Sequence, residues 1–164
     1  MPPVTEPAPS YPRAWLKLYP RRASRGAVSS ATNGNTAECS LYNNSTGAQI
    51  LVVRSILQPI AATSVGLYYH QGPLGSLSGT IAPMIPDMPA HPGLLYQYNN
   101  PAPGTPDFYL PNPGGYPTWD HDFPIAMLPP NWSLVVSGPG SSAPVSFLWD
   151  WLYAQELDAW FGMT

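Results

Sequence analysis

The chain has 164 residues, of which 44% are hydrophobic but only 9% are charged, with a formal net charge of −3. This length predicts one domain. Six tryptophans, ten tyrosines and four phenylalanines argue against disorder throughout the chain, despite its 23 prolines. Soluble proteins carry about 25% charged residues, and depletion of lysine and glutamate with enrichment of tyrosine and tryptophan is typical of interfaces. The composition therefore favours an assembly subunit over a free-standing monomer.

Basic and acidic residues are separated along the chain. Seven acidic residues and no basic ones follow position 54. The six basic residues all lie within the first 54 positions: Arg13, Lys17, Arg21, Arg22, Arg25 and Arg54. A basic segment ahead of an acidic body predicts docking onto an acidic surface or onto nucleic acid. Prolines, Trp15 and Tyr19 interrupt the basic run, which disfavours nucleic acid and favours docking between subunits. A solvated arm is the alternative.

The single cysteine, Cys39, excludes an internal disulfide and lies in an apolar run, which predicts a small buried side chain. No apolar run approaches the roughly 20 residues that a membrane-spanning helix needs. The first residues lack the apolar region of a signal peptide. We therefore expect no membrane association, and the N-glycosylation motifs at Asn43, Asn44 and Asn131 would matter only in a secreted eukaryotic protein.

Residues 1–26 are rich in proline and have no sustained hydrophobic period, which predicts an extended arm with polyproline II character. Trp15, Leu16, Leu18 and Tyr19 are too apolar for a solvated linker. We expect this arm to lie against a surface, either that of its own domain or that of a neighbour.

Three strands are predicted in the next part of the chain. Residues 26–34 are small and polar, which predicts a loop. Residues 37–42 alternate, residues 43–47 are dense in turn-forming residues, and residues 48–57 are almost continuously apolar, which indicates a hairpin whose second strand is buried on both faces. Residues 63–70 predict a third strand.

Residues 72–131 are so rich in proline that they cannot form central strands throughout. We expect short edge strands at residues 93–98 and 123–128, separated by long ordered loops. Loops of this length in a compact domain are usually functional or disordered, and the aromatic residues in this region favour order and contact.

Residues 131–151 carry the clearest strand pattern. Apolar and aromatic residues alternate with polar ones on both sides of a Gly/Pro/Ser break at residues 138–142, which predicts a closing β-hairpin. Residues 152–164 are predicted to form a C-terminal arm that could include one or two helical turns. The expected core is Ile50, Val52, Leu134, Val136, Phe147 and Trp149.

No residue pattern indicates catalysis. Residues 75–79 resemble a nucleophile elbow but have Leu77 in place of the serine. Asp120, His121 and Asp122 are expected in a solvated acidic loop; a cation site there is the less favoured alternative. His70 and His91 are isolated. We predict no catalytic, cofactor or metal site.

Short strands, turn clusters and the absence of a convincing core helix predict an all-β fold. We expect an antiparallel β-sandwich, jelly-roll-like, with long proline-rich loops and an extended N-terminal arm. The predicted organisation is an arm over residues 1–26, a sandwich domain over residues 27–151 and a C-terminal arm over residues 152–164.

Four stretches carry a resemblance to known proteins: residues 38–43 (Glu-Cys-Ser-Leu-Tyr-Asn), 50–56 (Ile-Leu-Val-Val-Arg-Ser-Ile), 128–136 (Leu-Pro-Pro-Asn-Trp-Ser-Leu-Val-Val) and 145–149 (Val-Ser-Phe-Leu-Trp). Their pattern resembles small virion structural proteins of tailed bacteriophages, in which a Pro-Pro-x-Trp/Tyr-Ser-Leu sequence leads into the closing hairpin of a β-sandwich. The resemblance implies a location in the virion and a structural role without catalysis, such as head decoration, cement or a tail component.

We therefore expect a non-enzymatic structural subunit whose partners are major capsid or tail subunits and further copies of itself. The predicted interface residues are Arg13, Trp15, Lys17, Leu18, Tyr19, Arg21, Arg22, Trp160 and Phe161. The alternative is a carbohydrate-binding β-sandwich module, such as the glycan-binding part of a viral fibre, with a glycan as the partner.

Overall fold

The computed structural model describes residues 24–29, 38–47, 49–57, 64–83, 92–98, 107–111, 118–120, 125–137 and 144–153. Within these ranges the chain forms β-strands and no helix. The strands are β1 (Ser24–Ser29), β2 (Glu38–Tyr42), β3 (Gln49–Leu57), β4 (Ser64–Gln71), β5 (Ser76–Leu77), β6 (Thr80–Pro83), β7 (Leu94–Tyr98), β8 (Phe108–Pro111), β9 (Thr118–Asp120), β10 (Ala126–Leu128), β11 (Trp132–Ser137) and β12 (Pro144–Tyr153).

The strands form two antiparallel sheets. The first sheet has the order β10-β3-β12-β1-β6, and β9 also pairs with β3. The second sheet has the order β5-β7-β2-β11-β4-β8. The prediction of an all-β fold with antiparallel sheets is confirmed.

The main hydrophobic core lies between the two sheets. The first sheet contributes Val28, Leu51, Val53, Ile56, Ala126, Leu128, Val145, Phe147 and Trp149, and the second contributes Cys39, Leu41, Leu67, Leu95, Leu134 and Val136. Within each strand these residues are mostly two positions apart, because alternate side chains of a strand point to the same face. The sheets therefore pack face to face in a sandwich-like arrangement.

Trp149 is the largest fully buried side chain of this core. Its indole Nε1 donates a hydrogen bond to the Pro92 carbonyl at 3.1 Å, so the one polar atom of the ring is satisfied. Gly93 lies against the ring with a φ of +122°, and a Cβ at this position would lie 3.0 Å from the indole. Only glycine combines this backbone conformation with such a close approach.

Most of the predicted core residues are buried, but β3 shows where the prediction was wrong. Ile50 is only half-buried, whereas Leu51 and Val53 point into the core and Val52 is buried on the opposite face. The register between β3 and β12 shifts at Arg54, which forms a β-bulge. The extra residue shifts the alternation, so Ile56 faces the core like Val53 although it is three positions away.

Both predicted hairpins are wrong. β2 lies in the second sheet and β3 in the first, and likewise β11 lies in the second sheet and β12 in the first. β2 pairs instead with β7 and β11, and β12 pairs with β1 and β3. In both cases successive strands therefore lie in opposite sheets.

The loop predicted for residues 26–34 is wrong at its start, because β1 covers Ser24–Ser29. β1 is a central strand between β12 and β6. Its small residues have a packing reason: a Cβ on Gly26 would lie 2.7 Å from Leu95 Cδ1 and 2.8 Å from the Thr80 carbonyl oxygen. β1 begins at Ser24 and β12 ends at Tyr153, so the sheets extend past the predicted domain limits, while the division into arms and domain stays a prediction.

The proline-rich region contributes more strands than the two that were predicted. β10 lies at an edge as expected, but β7 lies inside its sheet, between β5 and β2. The other strands of this region are β5, β6, β8 and β9. Most of the predicted long loops fall on residues 84–91, 99–106, 112–117 and 121–124, which lie outside the described residues.

Asn43 ties the two sheets together at one end. This buried residue directly follows β2 of the second sheet, and its Nδ2 donates to the carbonyls of Gln49 and Leu128 in the first sheet at 2.9 and 2.8 Å. Its Oδ1 accepts hydrogen bonds from the backbone N and the Oγ of Ser45, at 3.0 and 2.6 Å. Its backbone N donates to the Trp132 carbonyl at 2.9 Å. The side chain is thus fully engaged, so its glycosylation motif is not accessible in the folded chain.

We expect Asn43→Ala to lower the free energy of unfolding by about 2–4 kcal/mol, because the carbonyls of Gln49 in β3 and Leu128 in β10 lose their hydrogen-bond donor. Urea unfolding followed by tryptophan fluorescence measures the change. Asn44→Ala is the matched control, since Asn44 is exposed and accepts one hydrogen bond, from the Gly93 N at 2.7 Å. Equal losses in the two variants would contradict a special role for Asn43.

We expect Trp149→Ala to lower the free energy of unfolding by about 3–5 kcal/mol, the usual cost of removing a buried large aromatic side chain. Trp132→Ala, at a half-buried position of β11, should cost clearly less in the same urea titration. A loss for Trp149→Ala no larger than that of the Trp132 variant would show that Trp149 is not central to the core.

Candidate binding surfaces

The interface residues predicted from sequence lie outside the described residues. They are Arg13, Trp15, Lys17, Leu18, Tyr19, Arg21, Arg22, Trp160 and Phe161. Their role as an interface therefore stays a prediction, and the described strands provide the surfaces on which such residues could dock.

The Asp120, His121 and Asp122 cluster is only partly described. Asp120 ends β9 and pairs with Ser55 of β3, so the expectation of a loop at this residue is wrong. His121 and Asp122 lie outside the described residues. In the described part of the chain, no group of three or more His, Cys, Asp or Glu side chains could hold a metal ion.

The segment that resembles a nucleophile elbow has a structural role. Gly75 and Gly79 both have positive φ angles, and they flank β5. A Cβ at Gly75 would lie 2.1 Å from the Gln97 carbonyl oxygen, and one at Gly79 would lie 2.5 Å from the Ala27 carbonyl oxygen. The two glycines let this segment pass close to β7 in the second sheet and β1 in the first.

Glu38 is a buried carboxylate on the outer face of the second sheet. The hydroxyl of Tyr68 on β4 donates a hydrogen bond to Glu38 Oε2 at 2.6 Å. Tyr68 packs with Leu74 and Val135, and the half-buried Tyr98 lies against them. Glu38 lies on the face of β2 opposite to Cys39 and Leu41, and the cluster above the sheet covers it.

Burial raises the pKa of the Glu38 carboxyl above its ordinary value, although the hydrogen bond from Tyr68 and the nearby Ser137 and His70 favour the charged form. Burial and the bond to Glu38 also raise the pKa of Tyr68. Burial raises the pKa of the neighbouring Cys39 thiol to about 12. Because only the thiolate is a good nucleophile, Cys39 is inert at neutral pH.

An apolar and aromatic patch lies where β5, β7 and β2 meet on the outer face of the second sheet. Leu77 is 63% exposed, and it stands opposite Tyr96 in the β5–β7 pairing. The Tyr96 ring meets that of Tyr42 edge to face, with centroids 5.9 Å apart. The Tyr42 hydroxyl donates to Asn131 Oδ1 at 3.0 Å. The patch thus combines ring faces with an exposed amide.

A second exposed patch lies near the other edge of the same sheet, where β4 pairs with β8. Tyr69 on β4 is 38% exposed, and its backbone N donates to the exposed Asp107 Oδ2 at 3.1 Å. Burial raises the pKa of the Tyr69 hydroxyl, a hydrogen bond to the Met127 backbone lowers it, and the charge of Asp107 raises it. An exposed tyrosine and an exposed carboxylate are therefore neighbours at this surface.

A shallow groove of about 300 Å³ crosses the outer face of the first sheet. Arg25, Ala27, Thr80, Ala82 and Ser146 contribute to its lining. Except for Arg25 these residues are small, and their short side chains leave a shallow depression on the surface of the sheet.

Two acidic residues of the body do not contribute to its surface charge. Glu38 and Asp150 are both 1% exposed. Among the residues whose side chains the structure describes, Arg25 and Asp107 are the charged ones that are exposed. The acidic surface predicted from sequence is therefore smaller than the count of acidic residues suggests.

No family model, curated protein or solved structure matches the chain. Within the described residues there is no helix long and apolar enough to span a membrane.

We expect Glu38→Gln to change how stability depends on pH. Because the pKa of Glu38 is higher in the folded state, the stability from the protonated carboxyl is present at low pH and is lost as pH rises through the folded-state pKa. The loss is about 1.4 kcal/mol for each unit by which the pKa is raised. Glutamine cannot ionise, so the variant should gain stability relative to the wild type as pH rises.

Urea unfolding of both proteins from acidic to mildly alkaline pH measures this difference. Tyr68→Phe is the control: it removes the hydrogen bond to Glu38 but keeps the carboxyl, so it should retain the pH dependence that Glu38→Gln loses. Parallel stability curves for Glu38→Gln and the wild type would contradict the assignment.

Proposed function

We propose that the chain is a jelly-roll structural subunit of a virus particle, a head decoration, cement or tail-associated protein that joins its neighbours without catalysing a reaction. The observation that carries this proposal is the order of the strands. In a jelly roll, eight strands form two Greek keys in two packed sheets, an architecture used by viral capsid proteins.

Such a roll can be described as one long antiparallel hairpin that folds over on itself. The first of its eight strands pairs with the last, the second with the seventh, and so on inward. The eight strands here are β1, β2, β3, β4, β8, β10, β11 and β12. The pairs β1–β12, β2–β11, β3–β10 and β4–β8 all occur. The remaining strands β5, β6, β7 and β9 lie in the connections on either side of β8. This nested pairing supports a jelly roll over other two-sheet folds.

The distribution of charge supports assembly. A monomer usually keeps itself soluble with exposed charges, whereas here Glu38 and Asp150 are buried and the exposed Leu77 lies beside the Tyr42–Tyr96 pair. Surfaces with few charges and exposed aromatic rings are typical of protein interfaces. The resemblance of residues 128–136 to virion proteins of tailed bacteriophages points to the same class.

A carbohydrate-binding module is the second candidate, and one observation favours it. Jelly rolls also occur in lectin domains, and the Tyr42 and Tyr96 rings stand at 89° to each other beside the amide of Asn131. Rings with a polar tip can contact the apolar faces and the hydroxyls of a sugar. Binding of neutral glycans that is lost in Tyr96→Ala would favour this function over a purely structural one.

We expect deletion of residues 1–23 to leave a folded body that no longer assembles, because the apolar and basic residues of this segment form the predicted contact with a neighbour. The deletion stops before Ser24 so that β1 stays intact. Light scattering coupled to size-exclusion chromatography should give a multimer for the full chain and a monomer for the truncated one. A truncated chain that keeps the mass and the salt sensitivity of the full chain would contradict the proposal.

A further inference from the structure

Tyr69 and Asp107 form a surface that matches a basic side chain. The Asp107 carboxylate is held in place by the Tyr69 backbone N at 3.1 Å, and the Asp107 backbone N donates to the Leu67 carbonyl at 2.9 Å. The other carboxylate oxygen, Oδ1, is not used in this bond, and the charge of Asp107 acts on the Tyr69 hydroxyl, so the two side chains are neighbours. A planar guanidinium can lie on the ring and donate to the carboxylate at the same time.

The chain itself contains a cationic partner for this surface. Arg13, Lys17, Arg21 and Arg22 lie within ten positions of one another, next to Trp15 and Tyr19. Since Glu38 and Asp150 are buried, neither carboxylate can receive a basic side chain from outside. Asp107 is the exposed carboxylate among the side chains that the structure describes.

We propose that Tyr69 and Asp107 form the docking site for Arg21 or Arg22 of a second copy of the chain. The inference rests on the proposed function, because it names the surface on which the predicted arm of a neighbouring subunit binds.

The topology indicates a second copy rather than the same one. β1 faces β7 across the core, since a Cβ on Gly26 would lie 2.7 Å from Leu95 Cδ1. In the second sheet β4 lies three strand positions from β7, a distance of about 14 Å. The spacing between the two packed sheets separates β1 from the second sheet by about 10 Å more. The Cα of Arg22 lies at most about 7 Å from that of Ser24, and the Cα of Arg21 at most about 11 Å. A path around the body is longer still, so Arg21 and Arg22 fall short of their own Asp107.

Self-association of the full chain, measured by sedimentation velocity at low and high salt, tests the proposal. Asp107→Asn should weaken association about tenfold at low salt and reduce its salt dependence, as expected for a lost ion pair with cation–π support. Tyr69→Phe keeps the ring and should associate more tightly than Tyr69→Ala. Thermal unfolding of each variant confirms that the body is intact. Asp87→Asn is the matched control, because it removes the same charge at another position of the sequence.

A charge swap between copies makes the test specific. Asp107→Arg and the double variant Arg21→Glu/Arg22→Glu should each associate weakly alone, and an equimolar mixture of the two should associate again. Contacts within one copy cannot produce this rescue.

Four outcomes would overturn the inference. Equal effects of Asp107→Asn and Asp87→Asn would reveal a response to overall charge, and a mixture that stays dissociated would exclude the pairing. If deletion of residues 1–23 abolishes association while Asp107→Asn has no effect, this docking site is wrong and the proposed function stands. If the full chain remains a monomer at every concentration, both are wrong.

Discussion

Hydrogen bonds of the buried Asn43 fix the position of the two sheets relative to each other at one end of the sandwich. Its side chain bonds across from the end of β2 to the start of β3 and the end of β10, while its backbone bonds to β11. The hydrophobic core between the sheets is non-directional and tolerates sliding, whereas these hydrogen bonds specify one alignment. Because the pairs β2–β11 and β3–β10 both begin at this corner, the nested strand order depends on it.

Burial of acidic residues outside the main core sets the character of the surface. Glu38 is covered by Tyr68 and its neighbours on the outer face of the second sheet, and Asp150 is buried on β12. The described body therefore exposes tyrosines and Leu77 rather than a uniform acidic surface. Among the side chains that the structure describes, Asp107 is the exposed carboxylate, and it neighbours the exposed Tyr69.

Sequence patterns predicted the strands better than their partners. Alternation located β2, β11 and β12, an almost continuous apolar run located β3, and β4 was also predicted; five of the six expected core residues are buried. These patterns could not distinguish a hairpin from a connection between the two sheets, because in both cases the apolar faces of successive strands contact the same interior. β1 was missed because its small residues fit against Trp149, Leu95 and Thr80, which are distant in sequence. The buried Glu38–Tyr68 pair likewise depends on residues thirty positions apart, and the predicted arms lie outside the described residues.

We propose that the two-sheet body assembles through its N-terminal segment, which binds a neighbouring copy of the chain. Hydrogen–deuterium exchange of residues 1–23, followed by mass spectrometry at increasing protein concentration, tests this most directly. The account predicts that protection of this segment rises with concentration while that of β3, β11 and β12 stays constant. Protection that is independent of concentration, whether high or low, would contradict binding in trans.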